Sequence, residues 1–363
     1  MTLIERYGRH LPVPPDVAPV SLGEGGTPLL PSRRLGPALG LDLWFKLEGQ
    51  NPTGSFKDRG MTVAVTLARA RGARAVICAS TGNTAASAAA YAARAGLAAA
   101  VVVPRGRVAR GKLAQALACG AEVWEIEGDF DRALELVRAT AASVPAVALV
   151  NSVNPDRLQG QKTAAFEICD AFAGDRPPDA VVLPVGNAGN ITAYHMGFEE
   201  YRRAGRLAAL PAMIGVQAAG AAPLVLGRDV PNPETVATAI RIGRPASAEG
   251  ARRAVAQTGG AFAAVPDEAI LDAQRRLAAE EGVFVEPASA APVAALLEAA
   301  AGRAPEVAAR VRPGVRVVCV LTGHGLKDPD AGARLGRPSR VLEAEPAAVA
   351  RELDRLAGGG PAA

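Results

Sequence analysis

The strongest constraint on how this chain can fold is a repeated alternation of two patterns. Short, nearly continuous runs of valine, isoleucine, leucine and alanine recur, with amphipathic stretches between them. The runs cover 41–49, 75–80, 98–104, 122–128, 146–151, 180–186, 212–220 and 315–323. The intervening pattern predicts helices over 57–71, 83–95, 109–119, 129–142, 157–173, 190–205, 266–281 and 288–301. Strands that are apolar on both faces need cover on both, so the prediction is an α/β protein of mostly parallel sheets flanked by helices. A length of 363 residues exceeds one usual hydrophobic core and favours two domains. The stretch 221–260 is interrupted by glycine and proline and carries no clear pattern, and the closing LAGGGPAA reads as a flexible tail over 356–363.

Composition excludes several functions. The net charge of +4 is small for this length and the arginines are scattered, while aromatic residues make up 4%, which argues against a nucleic-acid surface. Cys78, Cys119, Cys169 and Cys319 lie far apart without a CxxC pair, which favours free thiols over disulfides or a metal site and suits a reducing cytoplasm. The N-terminus has no signal-type apolar region, and the longest apolar stretch, 95–104, is too short to span a bilayer.

In parallel α/β folds ligands bind beyond the carboxyl ends of the strands. Polar or glycine-rich sequences stand there after four of the runs: STGNT (80–84), NSVNPDR (151–157), GNAGN (186–190) and TGHG (322–325). A fifth candidate, GSFKDRG (54–60), holds one of five lysines in a chain that writes 35 of its 40 basic residues as arginine. Lys57 can condense with an aldehyde and later act as a base, which a permanently charged guanidinium cannot; the plain alternative is a solvated first-turn residue. GNAGN, between a buried-type strand and a helix, can form a phosphate cup or simply a tight turn, and it matches neither GK[ST] nor GxGxxG. STGNT suits a carboxylate but would also cap a helix. Thr322 can face a ring nitrogen or close a strand, and His324 between two glycines reads as a turn residue. Together, an amine, a phosphate cup, an amide and a neutral hydroxyl are what pyridoxal phosphate needs.

The ordered motifs PTGSFKDRG (52–60), ASTGNTAAS (79–87), NSVNPDRLQGQKTAAFEI (151–168), PVGNAGN (184–190), EPASAA (286–291) and LTGHGLKD (321–328) resemble the threonine synthase family of the shorter bacterial type. That family belongs to the pyridoxal-phosphate enzymes built like the tryptophan synthase β subunit. The likeness runs from GEGGTPL at 23–29 through Asp328. Threonine and serine dehydratases share an SFKxRG-like motif but differ at the phosphate cup and the asparagine loop, and they stand as the alternative.

The resemblance implies a larger cofactor-binding domain of residues 1–48 and 145–363, a smaller mobile domain of 49–144, and the cofactor in the cleft between them. It implies that Lys57 holds pyridoxal phosphate covalently and shuttles protons. Asn83 would meet the ring hydroxyl oxygen, Gly186, Asn187, Ala188, Gly189 and Asn190 the cofactor phosphate, and Thr322 the pyridine nitrogen. Ser80, Thr81 and Thr84 would take the substrate carboxylate. Asn151, Ser152, Asn154, Arg157 and Lys162 would take the phosphate of O-phospho-L-homoserine, with Arg157 favoured over Lys162 because the two lie five apart on one predicted helix. The implied reaction gives L-threonine and phosphate by β,γ-replacement in a cytoplasmic homodimer, with no metal, nucleic-acid or membrane partner.

Overall fold

The computed structural model describes residues 1–80, 82–106, 110–328, 335 and 339–358. Its strands, in chain order, are β1 (Leu29–Pro31), β2 (Asp42–Leu47), β3 (Ala75–Ala79), β4 (Ala98–Pro104), β5 (Glu122–Ile126), β6 (Val147–Leu149), β7 (Ala180–Pro184), β8 (Ala212–Ala218), β9 (Ala261–Val265) and β10 (Arg316–Leu321). They form two sheets, one of six strands in the order β1-β2-β10-β7-β8-β9 and one of four in the order β5-β4-β3-β6. Every pairing is parallel except β1 with β2. All eight expected runs become strands, with ends trimmed.

Burial explains why the sheets form from these sequences. Val317, Cys319 and Leu321 of β10 pack in one core with Ile270, Leu277 and the helix Pro287–Ala300. The alternate residues Val318 and Val320 pack in a second core with Phe166, Ile191 and Tyr201. The period of two thus sends successive side chains to opposite helical layers. The smaller sheet repeats this device, with Val76 and Cys78 on one face and Ile77 and Ala79 on the other.

Several features depart from the sequence reading. β1 and β9 were not expected; the first is three residues long and the second lies at a sheet edge, where a weak pattern suffices. The predicted helix over 157–173 divides at Lys162 into Pro155–Gln161 and Thr163–Ala171, where the Thr163 hydroxyl donates to the Gly160 carbonyl at 2.6 Å and competes with the helical ladder. The tail is shorter than expected, since the helix Pro346–Gly358 takes in 356–358, while 359–363 lie outside the described residues. The smaller sheet also draws β6 from beyond residue 144, because β6 pairs with β3. All four cysteines are free. Among the described residues no helix is long and apolar enough to cross a membrane.

Candidate active site

Backbone pairing brings the lysine to the end of the central strand. Phe56 N–H donates to the Thr322 carbonyl at 3.0 Å, His324 N–H donates to the Gly54 carbonyl at 2.9 Å, and Ser55 bridges Gly323. Gly49 passes so close that a Cβ there would lie 2.7 Å from His324 N. The turn before Lys57 is therefore fastened to TGHG, and the helix Lys57–Ala70 starts at the cleft. Its first turn is held by buried partners. Asp58 accepts from Thr53 N–H (2.7 Å), the Thr53 hydroxyl (2.6 Å) and the Ser87 hydroxyl (2.6 Å). Arg59 spans Glu48 and Glu167, and Lys46 also reaches Glu167 at 2.7 Å.

Lys57 opens into a cavity of about 460 Å³, within the range of small-molecule sites. Its Nζ lies 4.1 Å from the Phe56 ring centroid, a contact that favours the charged amine. Loss of water and the neighbouring Arg157 charge outweigh it and bring the amine down to about 7, with Glu286 opposing. An amine of this kind is a usable nucleophile and base near neutrality.

GNAGN forms a tight turn that leads straight into a helix. Ala188 is the one non-glycine residue with positive φ among the described residues (+64°), and the helix Gly189–Arg203 begins immediately after it. A Cβ on Gly186 would meet Ile240 Cα at 3.0 Å, so a side chain there would have to displace that neighbouring turn by a few tenths of an ångström. The Asn187 carbonyl accepts from Ser247 N–H at 3.0 Å, which anchors the cup from outside. Both amide atoms of Asn190 are buried without a partner among the described residues. Buried polar atoms of that kind are ordinarily satisfied, so the cup is shaped for a hydrogen-bonding ligand.

Asn83, at the start of the helix Asn83–Ala95, donates through Nδ2 to both Glu286 oxygens (3.0 and 3.1 Å). Burial raises the Glu286 carboxyl, and Asn83, Lys327 and Lys57 pull it back. Thr322 Oγ1 lies 2.8 Å from Ser289 Oγ, which accepts from Gly323 N–H at 2.7 Å. Ser80 and Thr84 line the cavity, and Thr81 lies outside the described residues. His324 Nδ1 accepts from Leu326 N–H at 3.2 Å, a turn-closing role.

The five residues expected for a second phosphate separate. Asn151 and Ser152 line the cavity, although the Asn151 amide is also bonded to Ala79 N–H (3.0 Å) and C=O (2.8 Å). Arg157 is fully buried and is not among the residues lining the cavity, although its charge acts on Lys57; its Nη1 donates to the Val150 carbonyl at 3.1 Å, whereas Nε and Nη2 have no partner among the described residues. Burial lowers this guanidinium to about 10. Asn154 instead caps the helix Pro155–Gln161, accepting from Asp156 N–H at 2.8 Å. Lys162 points away from the cavity and pairs with Glu200 at 2.7 Å, because the break at 162 turns its side chain toward the helix Gly189–Arg203.

Sequence reasoning missed Gln161, Arg241, Glu286, Ser289 and Lys327. All but Ser289 line the cavity, and Ser289 braces Thr322 from behind. Glu286 and Ser289 stand in EPASAA and Lys327 in LTGHGLKD, so the motifs marked the right segments without indicating these side chains.

The family profile described as "Pyridoxal-phosphate dependent enzyme" matches residues 20–323. The threonine synthase of Mycobacterium leprae is 57% identical over 92% of this chain and 90% of that protein. The threonine synthase of Halalkalibacterium halodurans is 49% identical over 99% and 98%. Among solved structures, a threonine deaminase from T.th. superposes with a TM-score of 0.66 at 29% identity, covering 82% of this chain and 92% of that one. With a lysine, a glycine-bearing turn at a helix start and a strand-end hydroxyl gathered in one cavity, and with that degree of likeness across nearly its whole length, this chain belongs to the pyridoxal-phosphate-dependent enzymes and, among them, to the threonine synthase family.

Proposed function

We propose that the protein converts O-phospho-L-homoserine and water to L-threonine and phosphate. The observation that carries this reading is the Arg157 guanidinium, buried with Nε and Nη2 unpartnered among the described residues and near enough for its charge to act on Lys57, which suits a dianion that a dehydratase substrate lacks.

The residues present fit pyridoxal phosphate: Lys57 would hold it covalently, Gly186 to Asn190 would take its phosphate, Asn83 its ring oxygen and Thr322 its ring nitrogen. When bound, this group supplies an electron sink for negative charge developing on the substrate's α-carbon. The Lys57 amine, brought down to about 7 so that much of it is unprotonated at neutral pH, takes the Cα proton at Nζ and carries protons through the later steps. Ser80, Thr81 and Thr84 receive the substrate carboxylate at the head of the helix Asn83–Ala95. Asn151, Ser152 and Arg157 receive the phosphate that leaves Cγ, and water adds at Cβ. Asn154 and Lys162 act indirectly, by capping and packing the helices that carry Arg157. Glu286 accepts from the Asn83 amide and so fixes which way that side chain faces. The smaller unit, extended through β6, closes over the cleft and excludes water until it is needed. We further propose a cytoplasmic homodimer, the setting that free thiols suit; equilibrium sedimentation reads the assembly state.

Two assays on one preparation test the reading: phosphate release from O-phospho-L-homoserine, and oxo-acid release from threonine. Oxo acid alone would sink it in favour of a dehydratase. Arg157→Ala is expected to raise KM about thirtyfold, from the loss of about 2 kcal/mol of charge-assisted hydrogen bonding. Because the Arg157 charge also holds Lys57 down, the acidic limb of the pH profile should move upward in the same variant. An unchanged KM would take Arg157 out of substrate binding.

A further inference from the structure

The loop after β8 carries a cation that the reaction as described leaves unused. Arg241 lines the cavity, directly after the 3-10 turn Thr238–Ile240. This loop is tightly built. Glu234 N–H donates to the Gly220 carbonyl at 3.1 Å and Val230 N–H to the Gly243 carbonyl at 3.0 Å. The contacts are so close that a Cβ on Gly220 or Gly243 would lie 2.0 or 1.9 Å from a facing carbonyl oxygen. Val236 N–H and the Thr235 hydroxyl are both held by Asp267. Ile240 presses on Gly186, so Arg241 is presented from a fixed position beside the cup.

Its charge is largely available. The side chain is 45% exposed, and its single ion pair among the described residues is a 4.0 Å approach to Glu234, which is 85% exposed. A contact that long and that solvated is a weak competitor that an arriving dianion displaces. The ionisable lining of the cavity is otherwise Lys57, Lys327 and Glu286, so cations outnumber the one carboxyl. A residue that both lines the cavity and meets solvent stands where an entering ligand is first felt.

We propose that Arg241 is a specificity-determining residue at the cavity mouth, capturing the doubly charged phosphate monoester of a small amino acid in competition with Glu234. The inference rests on the functional reading above and names the charge at the entrance that selects this substrate class. Rim charges act on encounter and on salt dependence more than on the chemical step.

Holoenzyme kinetics and a binding titration test it together. Arg241→Gln should raise KM for O-phospho-L-homoserine about fivefold, with kcat within about twofold and a flatter dependence of kcat/KM on salt. Glu234→Gln should shift KM the opposite way, and Arg241→Lys should restore most of the loss; a purely structural role for the loop predicts neither. Inorganic phosphate, titrated against the cofactor's absorbance, needs no turnover and should bind Arg241→Gln about fivefold more weakly. Equal phosphate affinity and equal salt dependence in wild type, Arg241→Gln and Glu234→Gln overturn the inference. A wild type that binds phosphate through Arg241 yet releases none from O-phospho-L-homoserine overturns the functional reading alone.

Discussion

Lys57→Ala is expected to abolish threonine formation, by at least about a thousandfold in kcat, while the fold persists. The size follows from two losses at one atom, the covalent hold on the cofactor and the base that takes the Cα proton. The fold should survive because the Lys57 amine makes no hydrogen bond among the described residues, and its ring contact is with Phe56, beside it in sequence. The first turn around it is held by Asp58 and Arg59 instead. Borohydride reduction of the wild type should fix the cofactor to the peptide bearing Lys57, and the variant should show no such adduct. The apo wild type adds a check by pH: the amine should react with aldehydes half-maximally near pH 7, because burial and Arg157 disfavour its charged form. Near-normal threonine formation by Lys57→Ala would remove the centre of the mechanism.

Arg59→Met should cost about 3–5 kcal/mol of stability, the largest loss expected from a single change outside the apolar cores. Arg59 is fully buried and donates to Glu48 at 2.7 and 2.8 Å and to Glu167 at 2.8 and 2.6 Å. Without it, Glu48 has only neutral donors and Glu167 keeps one cation, Lys46. Burial alone would raise the Glu167 carboxyl, but Arg59 and Lys46 overcome it and hold the group well below the usual carboxylate range. The sign follows from that depression: the stability it contributes is complete above the ordinary carboxylate pKa and is lost as pH falls further. In Arg59→Met the acid-unfolding midpoint should therefore move to higher pH. Denaturant midpoints for Arg59→Met, and for a triple variant that also neutralises Glu48 and Glu167, separate the cost of stranded carboxylates from that of the whole network. A single variant as stable as wild type would show that the network contributes nothing.

The network also shows why some of the structure was illegible in the sequence. Arg59, Glu48, Glu167 and Lys46 come from three separate segments, and nothing in their local pattern marks them as partners. Lys162 and Arg157 were read as cations five apart on one helix, with Arg157 favoured; Lys162 pairs with Glu200, while Arg157 is buried with Nε and Nη2 unpartnered among the described residues. A break at one residue decided the difference. Arg241 lay in the stretch without pattern, where backbone pairing between 220 and 234 and between 230 and 243 replaces the periodicity that sequence reasoning follows.

The α/β class, the parallel strands and the residue types that come to line the cavity were legible in the sequence before any folding. These depend on local physics: side-chain period, and the difference between an amine and a guanidinium. Only the tertiary structure decided that GSFKDRG is fastened to TGHG, that Glu286 faces Asn83, and that Lys162 turns away while Arg157 stays beside the amine. Those outcomes are choices of partner between residues far apart in the chain. Burial sets their energies, and burial exists only once the sheets have packed.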